Sequence, residues 1–195
     1  MSPSAISQIE TGKSRPSVST LYTMVSELGM SLDELFSGAG LERPATGASP
    51  KATSQARARD TGPPASDGRN VQRAGNRRSI DLETGVRWER LTPQADPEAD
   101  FLFVTYDVGG SSCVGDRFIR HEGREYGLVL SGTLEVTVGF DRHVLGPGDS
   151  ICFDSTVPHG LRTVGSEPVQ GVWFVIGRHS DRRALAFENA GPAKR

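Results

Sequence analysis

Two histidines and one glutamate in the second half of the chain have the types and spacing of a metal or polar-ligand site. His121 and Glu125 are four residues apart in "RFIRHEGREYGLVLSG", so on a strand both side chains point to one face. His159, in "STVPHG", comes from a separate segment that an antiparallel barrel could bring opposite them. Two imidazoles and one carboxylate suit a divalent transition metal with open coordination positions. The alternative is that these groups hydrogen-bond an organic ligand, or one another, in a pocket.

Short β-strands must position these residues. After Ser79 the sequence contains strand-length runs rich in β-branched and aromatic residues, separated by Gly, Pro, Asp and Ser. The runs are "FLFVTYDV", "EYGLVLSG", "TLEVTVG", "SICFDS" and "VQGVWFVIG". Many short strands at fairly regular spacing favour a sandwich or barrel over a parallel sheet. Residues 79–180 are therefore predicted to form an all-β domain.

Other residues of the β region receive structural interpretations. Trp88 and Trp173 lie in strand contexts, which predicts packing in the core or a dimer interface, with a pocket wall as the lesser alternative. Cys113 and Cys152 match no metal or redox spacing and are predicted to be buried, reduced thiols. His143 is predicted to lie in a solvated turn.

The β region resembles the cupin family. The resemblance rests on "HEGREYGLVLSG", on the Pro-Gly turn of "LGPGD", and on His159 after Pro158. It implies a double-stranded β-helix, or jelly-roll barrel, with an interior pocket lined by Ile119, His121, Glu125 and His159. Ile119 stands where the family carries its first histidine, so the resemblance implies at most three protein ligands, His121, Glu125 and His159.

Residues 2–37 are predicted to form three short helices. Ser17 after Pro16 is a good N-cap, and Val18, Leu21 and Val25 recur at helical spacing. The stretch "SLDE" forms a capping box for a last helix. Such short helices are marginal alone and need packing partners.

This helical segment resembles the phage-repressor-like (XRE/Cro-type) helix-turn-helix family, from its recognition helix onward. The matching residues are Ser7, Gln8, Ile9, Glu10, Gly12, Lys13, Pro16, Leu21, Leu28, Leu32 and Leu35. The second helix of this motif places its N-terminal residues on base edges. The resemblance implies DNA-facing roles for Ser2, Pro3, Ser4, Gln8, Lys13 and Arg15. Gln can bond adenine bidentately, and basic side chains neutralise phosphate.

Family members carry two helices before the recognition helix, whereas only Met1 precedes Ser2 in this sequence. We therefore expect apolar residues of the helical segment, such as Ile6, Ile9, Leu21 and Val25, to lack part of their cover, and DNA binding to be weakened. A misplaced translation start and a genuine truncation both account for this beginning.

The remaining segments are polar. Residues 38–78 are rich in Gly, Pro, Ala, Ser and Arg, and residues 41–78 carry eight basic side chains against three acidic ones. This composition predicts a flexible basic linker, either a solvated tether or a contact for a polyanion. Residues 181–195 are predicted to be a polar tail. No apolar run approaches the length of a membrane span and no signal peptide is evident, so we expect a cytoplasmic protein without membrane contact.

The predicted fold class is α+β and multidomain. Residues 1–37 form a partial helix-turn-helix domain, residues 38–78 the linker, residues 79–180 the cupin domain, and residues 181–195 the tail. The predicted function is a non-enzymatic transcriptional regulator whose cupin domain senses a small-molecule effector and which binds operator DNA as a homodimer. The alternatives are a metal-dependent cupin enzyme, such as a dioxygenase or isomerase, and a ligand-binding module without a DNA role.

Overall fold

Three short helices begin the structure. The computed structural model describes residues 3–27, 32–37, 70–96, 98–115 and 117–177. Helix α1 spans Pro3–Glu10, α2 spans Val18–Glu27 and α3 spans Leu32–Ser37. The backbone N–H of Thr20 donates to Ser17 Oγ at 3.1 Å, which confirms the predicted N-cap of α2. The predicted capping box of the last helix begins at Ser31, which lies outside the described residues.

Among the described residues, nine antiparallel strands follow a short 3₁₀ turn at Ala74–Asn76. They are β1 Ser79–Asp81, β2 Val86–Arg90, β3 Ala99–Tyr106, β4 Arg124–Ser131, β5 Leu134–Val138, β6 Asp141–Leu145, β7 Ser150–Asp154, β8 His159–Thr163 and β9 Val169–Ile176. Six strands pair in the order β1-β2-β3-β9-β4-β7, and three pair in the order β6-β5-β8. This arrangement confirms the predicted α+β fold class with an all-β cupin barrel.

Alternation along the strands directs apolar side chains into the barrel. On β9 the buried residues are Val169, Gly171, Trp173 and Val175, with more exposed residues between them. Strand β4 alternates in the same way, and its Glu125 is buried among apolar neighbours. A carboxylate at an inward position is costly unless it has partners, so the register itself marks Glu125 as a site residue.

The structure confirms some side-chain predictions and corrects others. Trp88 and Trp173 are buried in the core, as predicted. The expectation of two buried thiols is wrong, because Cys113 is half-buried and Cys152 is exposed on the outward face of β7. His143 is exposed as predicted, but it lies on β6 instead of in a turn.

Helix α2 packs against the barrel. Val18, Leu21 and Val25 are each at most 3% exposed and belong to one apolar cluster with the barrel core. Backbone contacts support this packing, since Glu83 N–H donates to the carbonyl of Pro16 at 3.0 Å. The expectation of uncovered apolar residues is therefore wrong for Leu21 and Val25, because the barrel covers them.

Ile6 and Ile9, the other two residues expected to lack cover, differ in their exposure. Ile9 is buried, whereas Ile6 is 37% exposed. Beyond the helices, the Arg78 guanidinium donates to the carbonyl of Phe36 at 2.8 Å, which ties α3 to the segment before β1. Most of the predicted linker, residues 38–69, and the predicted tail, residues 181–195, lie outside the described residues.

Candidate metal and effector site

Two separate segments, one that leads into β4 and one that begins β8, bring His121, Glu125 and His159 together. His121 precedes β4, and its backbone N–H donates to the carbonyl of Ser155 at 3.1 Å. Glu125 is the second residue of β4, and His159 is the first residue of β8. Ile119 and His159 exchange two backbone hydrogen bonds of 2.9 and 3.0 Å, which align the segment before β4 with β8. The strand pairing thus places the three predicted side chains at one point.

The three side chains converge inside the barrel. Nε2 of His121 lies 2.8 Å from Oε1 of Glu125, and Nε2 of His159 lies 3.1 Å from the same oxygen. All three side chains are at most 4% exposed. Their metal-ligating atoms lie within 4.8 Å of one another. This spacing is compact enough for a single ion to contact all three.

The other nitrogen of each imidazole determines the tautomer. Nδ1 of His121 lies 2.9 Å from the carbonyl oxygen of Glu122, and Nδ1 of His159 lies 2.9 Å from that of Val157. A carbonyl oxygen only accepts, so both Nδ1 atoms donate and each Nε2 faces Glu125, as a lone pair in the neutral ring and as an N–H donor in the imidazolium. In the described part of the chain, neither Nε2 atom nor Oε1 has an aligned hydrogen-bond partner.

This arrangement fits a cation. Two nitrogen lone pairs and a carboxylate oxygen repel one another unless a proton or a metal ion lies between them. Imidazole nitrogen with carboxylate oxygen is a donor set that zinc and other first-row divalent metals accept. Backbone carbonyls that orient the Nδ1–H groups are the usual outer partners of metal-ligating histidines.

Glu125 has a further partner that the sequence did not predict. Nε1 of Trp173 donates to Oε2 of Glu125 at 2.6 Å. Burial raises the pKa of the Glu125 carboxyl, but N–H donation and positive charge from the protonated rings of His121 and His159 outweigh burial and hold that pKa well below its usual range. Glu125 is therefore ionised, with one oxygen fixed by the indole and the other facing the two histidines.

The remaining predicted pocket residue, Ile119, is 6% exposed and lines the same interior as Glu125. Tyr22 of α2 was not among the predicted site residues. Its ring stacks on that of His121, with ring centroids 4.3 Å apart and planes at 25°. It also contacts Trp88, with ring centroids 5.5 Å apart. The sequence could have indicated Tyr22 through its position on the apolar face of α2, four residues after Val18.

The predicted DNA-facing residues lie mainly at the surface. Ser4 and Gln8 are exposed and one turn apart on α1, and Lys13 is exposed in the loop that follows. Arg15 is 59% exposed and lies 3.9 Å from Asp81. Pro3 is the first residue of α1, and Ser2 lies outside the described residues.

Comparison with known proteins places both parts of the chain. Residues 1–35 match the family model described as Helix-turn-helix, and residues 102–175 match the one described as Cupin domain. The chain is 26% identical over 181 residues to the HTH-type transcriptional regulator PuuR of Escherichia coli (strain K12), covering 91% of this chain and 80% of that protein. The chain is a helix-turn-helix transcriptional regulator with a cupin domain. PuuR of Shigella flexneri matches the regulator at the same 26% identity, again covering 91% of this chain and 80% of that protein.

A solved structure shares the regulator's fold. The structure of an HTH_3 family transcriptional regulator from Vibrio cholerae has a TM-score of 0.56 and 21% identity. The match covers 90% of this chain and 80% of the Vibrio cholerae chain. The two predicted family resemblances are confirmed. No helix among the described residues combines the length and apolar character needed to cross a membrane.

Proposed function

We propose that this regulator binds operator DNA through α1 and the following loop, and binds a small-molecule effector at the cupin domain. The observation that carries the proposal is the packing of α2 on the part of the barrel that holds His121, Glu125 and His159. A helix of the DNA-reading segment thus contacts the candidate effector site directly. Such contact gives the effector a route to the DNA-binding residues.

The exposed face of α1 supports the DNA-binding part of the proposal. Ser4 and Gln8 lie on one side of the helix, at the positions that read base edges in helix-turn-helix proteins. Lys13 and Arg15 follow the helix and suit phosphate contacts. Arg15 must leave the neighbourhood of Asp81 to do so, which costs little because a 3.9 Å pair between exposed groups is weak.

A DNA-binding assay tests this assignment. Operator DNA enriched from a random-sequence pool is titrated with the regulator and its variants at several salt concentrations. We expect Gln8→Ala to relax sequence preference at one base pair by about 1–3 kcal/mol, and Lys13→Ala to weaken all sequences and reduce the salt slope by about one. Gln94→Ala changes an exposed glutamine far along the chain and serves as the control. Unchanged binding by both α1-region variants would refute the assignment.

We also propose that His121, Glu125 and His159 hold a divalent transition metal. The support is the convergence of both Nε2 atoms on one buried oxygen of Glu125, at 2.8 and 3.1 Å. The test is elemental analysis of purified protein together with titration of metal-free protein with Co²⁺. We expect near-stoichiometric metal, lost in His121→Ala and kept in His143→Ala, which removes an exposed histidine on β6. Equal metal content in both variants would contradict the assignment.

The same cluster favours the second candidate function, a metal-dependent cupin enzyme. A three-ligand site leaves coordination positions for a substrate. The packing of α2 opposes this function, because Tyr22 lies on His121 where a substrate would enter. We therefore propose a sensor that performs no catalysis and acts in the cytoplasm, where its DNA lies. Turnover of a small molecule by metal-loaded protein, with no effect on DNA binding, would reverse that choice.

Finally, we propose that the regulator is a homodimer, since operators usually present paired half-sites. An apolar patch on the outer face of β3, β9 and β4 supports a second copy as the partner. Phe174 is 37% exposed, and its ring centroid lies 5.7 Å from that of Phe101 and 6.5 Å from that of Tyr126. Light scattering should show that Phe174→Glu halves the mass. Phe140→Glu, which changes a fully exposed phenylalanine in the β5–β6 turn, should leave the mass unchanged.

A further inference from the structure

Helix α2 presents one continuous apolar face to the barrel. Val18, Leu21, Tyr22 and Val25 are between 1% and 7% exposed. They recur at the helical spacing that places side chains on one face. Val18 and Tyr22 also line the barrel interior together with Glu125 and Trp173. The helix therefore forms part of the wall of the site.

Tyr22 separates two spaces of very different size. The cavity inside the barrel has a volume of about 20 Å³, which accommodates one water molecule or one metal ion. The cleft outside has a volume of about 370 Å³, within the range of small-molecule pockets. Tyr22 and Ile119 line both spaces. An organic ligand thus fits the cleft, whose wall includes the Tyr22 ring that stacks on His121 of the cluster.

The contacts of Tyr22 resemble those of a bound ligand. Its ring is stacked on the imidazole of His121 and also contacts Trp88. His121 is one of the three converging side chains, so a planar molecule stacked there would lie beside the bound metal. Side chains from both domains line the cleft, with Ser19, Thr23 and Glu27 on α2 and Phe118 and Arg120 before β4.

We propose that Tyr22 is an internal competitor for the effector. In the described conformation its ring occupies the position of the effector's planar group, and α2 is docked. A small organic effector with an aromatic or conjugated planar group displaces Tyr22 from His121 and releases α2 from the barrel. Effector binding and α2 docking then exclude each other, which couples the cupin pocket to the DNA-reading segment. This inference rests on the proposed function and specifies its regulation.

The probe for the test is 4-methylphenol, which reproduces the tyrosine side chain. Binding is followed by the fluorescence of Trp88 and Trp173, the only two tryptophans of the sequence, which both line the cavity. Docking of α2 is followed by amide hydrogen exchange of residues 18–27. In the wild-type protein, the probe should accelerate this exchange and leave β5 unaffected.

Variants of Tyr22 separate competition from simple binding. Tyr22→Ala removes the competitor, so it should bind the probe at least about tenfold more tightly than wild type. Its α2 exchange should already be fast without the probe. Tyr22→Phe keeps the stacked ring, so its affinity for the probe should lie closer to that of wild type than to that of Tyr22→Ala. Tyr126→Ala changes an exposed tyrosine on the outer face of β4 and is the matched control.

The outcomes distinguish a failure of this inference from a failure of the proposed function. Equal affinity of wild type and Tyr22→Ala, absence of binding by Tyr22→Ala, or α2 exchange that ignores the probe would each overturn the competition. If Tyr22→Ala does not fold, the exchange measurement on the wild-type protein still tests the competition. Wild-type protein that shifts DNA and loads metal while α2 ignores the probe disproves only this inference. Protein whose α2 responds but which never binds DNA disproves the proposed function instead.

Discussion

Replacing Gly127 with alanine should destabilise the barrel through Trp173. Gly127 lies opposite Trp173 in the ladder between β4 and β9. A Cβ at position 127 would lie 2.2 Å from Cη2 and Cζ3 of the indole and 2.7 Å from Cε3. Trp173 is 4% exposed and is held by its hydrogen bond to Glu125. Burial and this hydrogen bond therefore restrict how far the indole can turn.

The magnitude follows from the shift that the indole must make. Ordinary contact begins at 3.4 Å, so the ring must retreat from 2.2 Å by about 1.2 Å. Such overpacking costs about 1–3 kcal/mol. A shift of this size also weakens the 2.6 Å hydrogen bond to the ionised Glu125, and hydrogen bonds to charged groups contribute about 1.5–3 kcal/mol. We expect Gly127→Ala to lower the free energy of unfolding by about 2–5 kcal/mol.

Urea unfolding followed by tryptophan fluorescence measures this loss. Gly165→Ala is the control, because a Cβ at position 165 meets its nearest atom, in Thr133, at an ordinary 3.9 Å. A double-mutant cycle with Trp173→Phe identifies the cause, since phenylalanine lacks the outer ring atoms that the new Cβ would meet. A loss below about 0.5 kcal/mol, or an equal loss in both backgrounds, would refute the reasoning.

Three further predictions concern the thiols, a helix cap and a surface ion pair. Cys152 is exposed, whereas burial raises the pKa of the half-buried Cys113 thiol. A thiol reagent should therefore modify Cys152 first. The modification rate of Cys113 should increase more with a rise in pH. Ser17→Ala removes the cap of α2 and should cost about 1 kcal/mol, measured by urea unfolding. The hydrogen bond from Arg162 lowers the pKa of Glu135, so this pair stabilises the fold above the unfolded-state pKa and ceases to do so as pH falls through the folded-state pKa. Acid unfolding of Arg162→Gln should therefore begin at higher pH than that of wild type, and an identical acid transition would contradict this.

The sequence predicted the elements that depend on local patterns. Apolar residues at helical spacing predicted α2 because a helix needs one apolar face, and Ser17 marked its first residue. The runs rich in β-branched residues predicted β3, β4, β5, β7 and β9 to within about two residues. The strand context of Trp88 indicated β2, whereas no predicted run covered β1, β6 or β8. The last two carry Arg142 and Arg162, whose polar character conceals the strand pattern on a solvated face.

The sequence also identified the chemistry of the candidate site. His121, Glu125 and His159 were chosen by residue type and spacing, and strand pairing brings them together as proposed. The roles of the α1 residues in DNA binding stay a prediction. The imidazole tautomers could not be read from the sequence, because they depend on carbonyl oxygens placed by the turns around Glu122 and Val157.

What the sequence by itself determined is therefore the set of parts: a helix-turn-helix segment, the cupin strands and three candidate ligand residues of two types. Only the tertiary structure decided how the parts meet. The indole of Trp173 reaches Glu125 because Gly127 leaves it room, and Tyr22 reaches His121 because α2 lies against the barrel. Both contacts join residues far apart in the chain, and their cause is shared burial of apolar surface, which no local pattern specifies.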